Sequence, residues 1–494
     1  MDVKILNPLE VLAEDNKLCC EGSEGTEKTT ANGMSNQNIN NSDSLPVLNE
    51  TELLQFKESQ ILCQPPGGST DNDCGETSEY SNTKCSETEL QTRNIPYSGP
   101  FENNNPEESE VTNTLLRYEI NFSTPPVQIT GAWRDFEGSP ENFLKGCKWS
   151  PDGTCILTCS NDNTLRLFNL PTEMYSGFFS LDVLPEMSSV LQMKEGETIY
   201  DYAWYPKMSS YDPDTCCFIS SSREHPLHLW DAFTGQVRCS YRSFNNMDEI
   251  VSPHCVAFNS DGSKIYCGFD KMVRVFDTSR PGRQCQQRRT VSKKQGQFGI
   301  ISCIAASPEN NGLYACGSFS KSVGLYNEPK GDLMSLVEGH QGGVTHLAFS
   351  HDGQRLYSGG RKDNEIICWD MRYPGAILHK LSRFVKTNQR MYFDIDSSGK
   401  YVISGNHDGT VSVWDTYVSS DVILPCGMTY IAHDDCTNGV SFHPSLPLLA
   451  TASGQRKFVI KDEFENGENE DEQTRCDCSL RLWKLSCNSQ TSMD

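Results

Sequence analysis

The sequence lacks any apolar run long enough to span a bilayer and has no secretory leader, so a soluble intracellular chain without membrane contact is expected. It also lacks an excess of positive charge: the formal net charge is -24. Taken whole, that balance argues against nucleic acid, but the acids are unevenly placed. Residues 1 to 117 carry about 21 acidic against 7 basic side chains, and residues 460 to 478 about 8 against 2. The rest of the chain is left near -4, close to neutral. No glycine-rich phosphate loop opens onto a helix, and no Ser-His-Asp or Cys-His set can be placed, so neither an enzyme nor a bound cofactor is expected. Cys476 and Cys478, with His433 and Cys436, lack zinc-site spacing, and no metal is expected. Cysteine is plentiful, at 22 residues, but Cys147, Cys155, Cys159, Cys255 and Cys303 sit inside strand-like runs and read as buried thiols of a reducing compartment.

Residues 1 to 115 contain few apolar residues, as in "GMSNQNINNSDS", and cannot bury enough surface to offset the entropy of ordering. An acidic disordered tail is expected there. Within it, Leu53, Leu54 and Phe56 could form a short recognition helix or simply remain scattered in a solvated tail.

After residue 140 a unit repeats: an apolar strand, an "SPDG"-type turn, a second strand ending in small residues, a polar turn, and a third strand closing on an aromatic. The closing aromatics are Phe168, Trp230, Phe276, Tyr326, Trp369, Trp414 and Trp483. Most lie about 43 to 50 residues apart, the period of four-stranded propeller blades. The spacing predicts an all-β, seven-bladed WD40 β-propeller over 116–485, with an acidic tail before it and a disordered tail at 486–494. An acid falls six positions before most closing aromatics: Asp162, Asp270, Asp363, Asp408 and Asp477. At a tight turn such a carboxylate can accept backbone and histidine hydrogen bonds, so these acids, with His340, Trp369 and Trp414, are expected to be structural. Residues 126–136 should supply the outer strand of blade seven, closing the ring. Truncation before about 110 should then be harmless, and truncation to about 140 should not. The run 460–478 reads as an acidic loop inserted in blade seven, either a flap that repels non-specific nucleic acid or a tolerated loop.

Residues just before the turn acids share one face: Asn161, Arg223, Phe269, Phe319, Lys362 and His407. Cations for phosphates and flat rings for unstacked bases are what single-stranded RNA requires. Neighbouring loops should add Lys293, Lys294, Arg361, Lys386, Arg390 and Tyr392 to that rim. A basic run on an outer strand also discourages edge pairing, which is the competing explanation for the lysine loop.

Several runs are more specific than a generic WD repeat: "PENFLKGCKWSPDG", "ETIYDYAWYPKMSS", "SSSREHPLHLWDAFTGQ", "KKQGQFGIISCIA", "GHQGGVTHLAFS" and "DCTNGVSFHPSLPLLATASGQR". Over about residues 133 to 485 the chain resembles the telomerase Cajal body protein family. The resemblance implies a nuclear RNA-binding scaffold that recognises the CAB box of H/ACA small Cajal body RNAs and telomerase RNA. It further implies partnership with the dyskerin-containing H/ACA particle, telomerase, coilin and the SMN complex. Residence in Cajal bodies and at telomeres, with some protein in the cytoplasm, and a role at DNA breaks would follow. The alternative is a protein-interaction platform such as a ubiquitin-ligase substrate receptor, suggested by the run Trp369-Asp370-Met371-Arg372.

Overall fold

Strands such as Cys155–Ser160 and Arg355–Gly360 are buried along nearly their whole length, because both faces of each sheet pack against a neighbouring sheet. The computed structural model describes residues 118–138, 141–175, 184–309, 312–418, 421–457 and 477–488. The expected N-terminal tail, with Leu53, Leu54 and Phe56, and nearly all of the acidic insertion lie outside the described residues. Among the described residues only three short 3-10 turns interrupt the strands, and no helix is long and apolar enough to cross a membrane.

The strands form seven antiparallel blades. Blade 1 runs from Leu144–Trp149 through Cys155–Ser160 and Thr164–Asn169 to Leu191–Lys194. Blades 2 to 6 begin at Ile199–Trp204, Cys255–Phe258, Ile301–Ala306, Val344–Phe349 and Phe393–Ile395, and blade 7 begins at Thr437–Phe442. Blade 7 takes its outer strand from the other end of the chain, Val127–Ala132 pairing antiparallel with Leu480–Lys484. Ile129 and Ala132 seal this seam from inside. Residues 486 and 487, expected in a disordered tail, instead pair with Ile120–Asn121, and Asn121 donates to the Asn488 side chain at 2.7 Å. Blade 5 gains a fifth, parallel strand, Ile423–Leu424.

Apolar clusters between blades supply most of the cohesion. Tyr202, Trp204, Phe218 and Trp230 join blades 1 and 2, while Val323, Leu325, Leu347, Leu356, Ile367 and Trp369 join blades 4 and 5. Full burial of each large side chain contributes about 1.5–3 kcal/mol. All described cysteines are free and most are buried; desolvation pushes the Cys303 thiol up to about 12, so it stays protonated.

Polar chains pin the blade turns. In blade 5 the Trp369 indole donates to Ser358 Oγ at 2.7 Å, that hydroxyl meets His340 Nε2 at 2.7 Å, and His340 Nδ1 meets Asp363 at 2.8 Å. Asp363 also accepts the backbone N–H of Gln341 and Glu365. Blade 7 repeats the arrangement with Trp483, Thr451, His433 and Asp477, so His433 is a turn residue rather than a companion of the nearby cysteines. Blade 2 substitutes Glu195, which accepts from Ser220 and meets His228 at 3.0 Å. Asp162 is held by Arg166 at 2.6 Å, without a histidine.

Two of the expected structural acids differ. Asp270 is exposed and pairs with the neighbouring Lys271 ammonium at 3.6 Å. Asp408 is exposed and accepts from the backbone and hydroxyl of Thr410. Among the described residues no relay links Asp408 to the closing aromatic of its blade, and the buried Trp414 indole N–H is unbonded in the structure.

Candidate nucleic-acid interface

Alternating strand directions put the turns between second and third strands of blades 1 to 6 on one rim. In blades 1 to 5 that turn holds a non-glycine residue at positive φ: Asn163, Glu224, Lys271, Lys321 and Lys362. The left-handed region costs an L-residue roughly 1–2 kcal/mol, which glycine avoids. Blades 3, 4 and 5 nevertheless each place an exposed lysine there, forming a basic arc.

The loop before blade 4 extends it. Val291–Ser292 and Gln295–Gly296 form a small hairpin whose two tip residues, Lys293 and Lys294, lie at φ 48° and 66°. Such a two-residue turn normally takes Asn-Gly. Both lysines are exposed. After the hairpin comes Phe298, 45% exposed, whose carbonyl accepts the Ser318 hydroxyl at the edge of the blade 4 turn.

Flat rings and cations alternate farther along. The Arg361 guanidinium lies 4.1 Å from the centroid of Phe319, joining blades 4 and 5. Lys386 lies 4.9 Å from the Phe384 ring, and Phe384 meets His407 edge-on at 5.9 Å. The Lys362 N–H donates to Thr387 at 3.0 Å, tying the blade 5 turn to that loop. Beneath them is the buried Arg383, donating to the Gly360 and Met391 carbonyls and the Ser404 hydroxyl. Burial pulls its guanidinium down to about 10, so it remains charged at neutral pH. It adds positive potential beside the turn that carries Arg361.

The structure therefore brings together Phe319, Arg361, Lys362 and His407, with the lysine hairpin on the same face. Arg223 also lies on this rim but is engaged by exposed Glu224 at 3.0 Å. Three expected rim residues lie elsewhere. Phe269 is only 8% exposed, since the two-residue turn Asp270–Lys271 keeps it within its strand, under Arg274 at 4.7 Å. Phe319 escapes that fate because blade 4's second strand ends earlier, at Ser318.

Arg390 and Tyr392 precede the short first strand of blade 6 and drop into the central channel. There Arg390 bonds Asp201 of blade 2 at 2.7 Å, the Ser302 carbonyl of blade 4 at 2.9 Å and the Tyr392 hydroxyl at 3.1 Å. Lys148 approaches the same Asp201 at 3.7 Å. Sequence reading missed Lys271, Lys321, Phe298 and Phe384. The lysines could have been found as the last residues of short turns; the phenylalanines had no periodic signal.

No group of His, Cys, Asp and Glu among the described residues is arranged to hold a metal. Arg372, of the Trp-Asp-Met-Arg run, folds back on Asp370 with contacts of 2.7 and 2.9 Å.

The WD domain, G-beta repeat family matches residues 134–169, 245–277, 331–370 and 391–415. The chain is 56% identical to telomerase Cajal body protein 1 of Mesocricetus auratus over 344 residues, covering 69% of this chain and 63% of that protein. It thus spans less than two thirds of that relative's length. To the Mus musculus protein of the same name it is 52% identical over 387 residues, 76% of this chain and 72% of the relative. To the Homo sapiens protein it is 51% identical over 376 residues, 74% and 68% of the two chains. A seven-bladed ring and identity of this depth over most of the propeller lead to one assignment: the chain belongs to the telomerase Cajal body protein family.

Proposed function

We propose that the chain is an RNA-binding scaffold whose rim, over blades 3 to 6, holds an unpaired strand. The observation that carries this reading is the arc of lysines at Lys271, Lys293, Lys294, Lys321 and Lys362, all five in backbone positions that glycine would occupy more cheaply, beside the Arg361–Phe319 and Lys386–Phe384 stacks. Cations would neutralise phosphates while Phe298 and Phe319 offer faces to splayed bases. The ring supplies a rigid site, so little affinity is lost to ordering it.

The relatives' name supplies the context. The proposed ligand is the CAB box of small Cajal body RNAs and telomerase RNA, and the proposed role is to bring these particles to Cajal bodies in the nucleus. Dyskerin-containing H/ACA particles, telomerase, coilin and the SMN complex are the proposed partners, with telomere maintenance and scaffolding at DNA breaks as proposed outcomes.

The test is fluorescence anisotropy with a labelled single-stranded RNA loop containing the CAB box. Combined Lys293→Glu, Lys294→Glu and Lys362→Glu should weaken binding and flatten the dependence of log K on log salt by roughly 0.7 for each phosphate no longer neutralised. Unchanged affinity at low salt would sink the site.

A further inference from the structure

On the face opposite the rim, turns of blades 1 and 2 enclose a cleft of about 230 Å³. Leu167, Leu191, Met208 and Cys216 line it, while Val190 and Phe233 stand at its lip, 49% and 55% exposed. Tyr211 follows the lining residue Ser210 and is 98% exposed; Tyr175, 54% exposed, leans over Thr154 with its hydroxyl 3.4 Å from that carbonyl. Large apolar groups gathered in this way on a protein surface mark a contact site. A small-molecule pocket typically runs from about 300 to 1,000 Å³. This cleft is smaller and suits one or two side chains of a peptide.

Charge narrows the occupant. Asp152, whose carboxylate accepts the Ser210 N–H at 2.7 Å, and Asp212, Asp214 and Asp231, each within two residues of a lining residue in sequence, stand near the cleft, against Lys207 and Arg238. Arg238 and Asp231 neutralise one another at 2.9 Å, Arg238 also donating to the carbonyls of Pro213, Asp214 and Cys216, which leaves Asp152, Asp212 and Asp214 against Lys207. The Asp231 carboxylate, itself accepting the N–H groups of Phe233 and Thr234, is held below the usual carboxylate range and stays ionised. An apolar slot in an acidic frame repels nucleic acid and anionic lipid and attracts a cationic chain.

We infer that this cleft docks a basic peptide segment of a partner protein through an apolar anchor residue flanked by lysine or arginine. The inference is independent of the RNA reading: it concerns the other face and other residues. A scaffold so built could hold a strand on one face and a protein on the other.

A displayed random-peptide library selected on the full chain, with counter-selection on Phe233→Ser, tests it. The expected result is enrichment of peptides with a large apolar residue between Lys or Arg. The best of them, fluorescein-labelled, should lose roughly tenfold or more in affinity to Phe233→Ser and also to Asp214→Lys. RNA affinity should not change in either variant, both being surface substitutions on the far face. Acidic consensus peptides, no enrichment that depends on Phe233, or a labelled peptide indifferent to both substitutions would overturn the proposal. Charge reversal of the rim lysines should leave the peptide's affinity intact whatever it does to RNA.

Discussion

Lys362 illustrates what single residues reveal: its backbone sits at φ 48°, where a side chain is a liability, yet the side chain is a lysine in solvent. Replacing it, or Lys271, by glycine should relieve strain and raise stability by about 0.5–1 kcal/mol while weakening RNA binding. Thermal melts and anisotropy on the same variants check this; a fall in melting temperature, or unaltered affinity, counts against the reading.

Asp394 behaves oppositely to the turn acids. Packed between blades 6 and 7, it accepts the Phe442 N–H at 2.8 Å, yet burial raises its carboxyl to about 6. Because the native value exceeds the unfolded one, the native state binds the proton more tightly. The penalty for ionising it is complete above about pH 6 and fades as pH falls towards about 3.8. Asp394→Asn removes that penalty, about 2–3 kcal/mol at most, but its amide nitrogen cannot accept the second of the Ile395 and Phe442 N–H groups, so the variant's stability relative to the parent should be higher at neutral pH than near pH 4 by up to that amount. Denaturant melts at the two pH values would show it; an equal effect at both would not fit.

At the level of strands and turns, legibility depended on whether a residue's place follows from period alone. The closing aromatics and the turn acid of blade 5 announce themselves by spacing, and the His340–Asp363–Trp369 chain follows from them. What period cannot supply is turn length. One residue more in the blade 4 turn than in blade 3 puts Phe319 beside Arg361 and leaves Phe269 in the core. Nor can it show that the chain before a short first strand falls inward, as Arg390 and Tyr392 do.

The seam strand Val127–Ala132 offers a test at the same scale. Truncation that keeps residues from 118 onward retains every strand described. Removing residues through 132 exposes the Leu480–Lys484 edge and uncovers Ala132's neighbours Leu480 and Leu482. The longer deletion should lower stability steeply or favour aggregation through that edge, while the shorter should leave the melt unchanged. Similar melts for the two shortened chains would show the seam to be dispensable.

Among the described residues, cohesion comes mostly from neighbours packing on neighbours, but the channel also joins blades that are not adjacent. Arg390 reaches from blade 6 to blades 2 and 4 through the channel, a link between segments 189 and 88 residues apart in sequence. Arg390→Met would leave the enclosed Asp201 with Lys148 at 3.7 Å as its nearest remaining cation and the Tyr202 and Val256 N–H groups as its donors. Losing one partner of a buried pair costs about 3–5 kcal/mol. Equilibrium unfolding should register this, and adding Asp201→Asn should recover part of it; no recovery would mean that the two side chains are not coupled. RNA affinity measured below the melting transition should hardly move, since neither residue reaches the rim.

Because residues 120 and 488 lie side by side, the place where this circle is cut is a matter of convenience. Joining 488 to 118 by a short linker and starting synthesis after residue 138 would give a permuted molecule whose seventh sheet is made from consecutive chain. Such a molecule would no longer depend on its two extremities finding one another late in folding, and it should reach the native state faster than the parent.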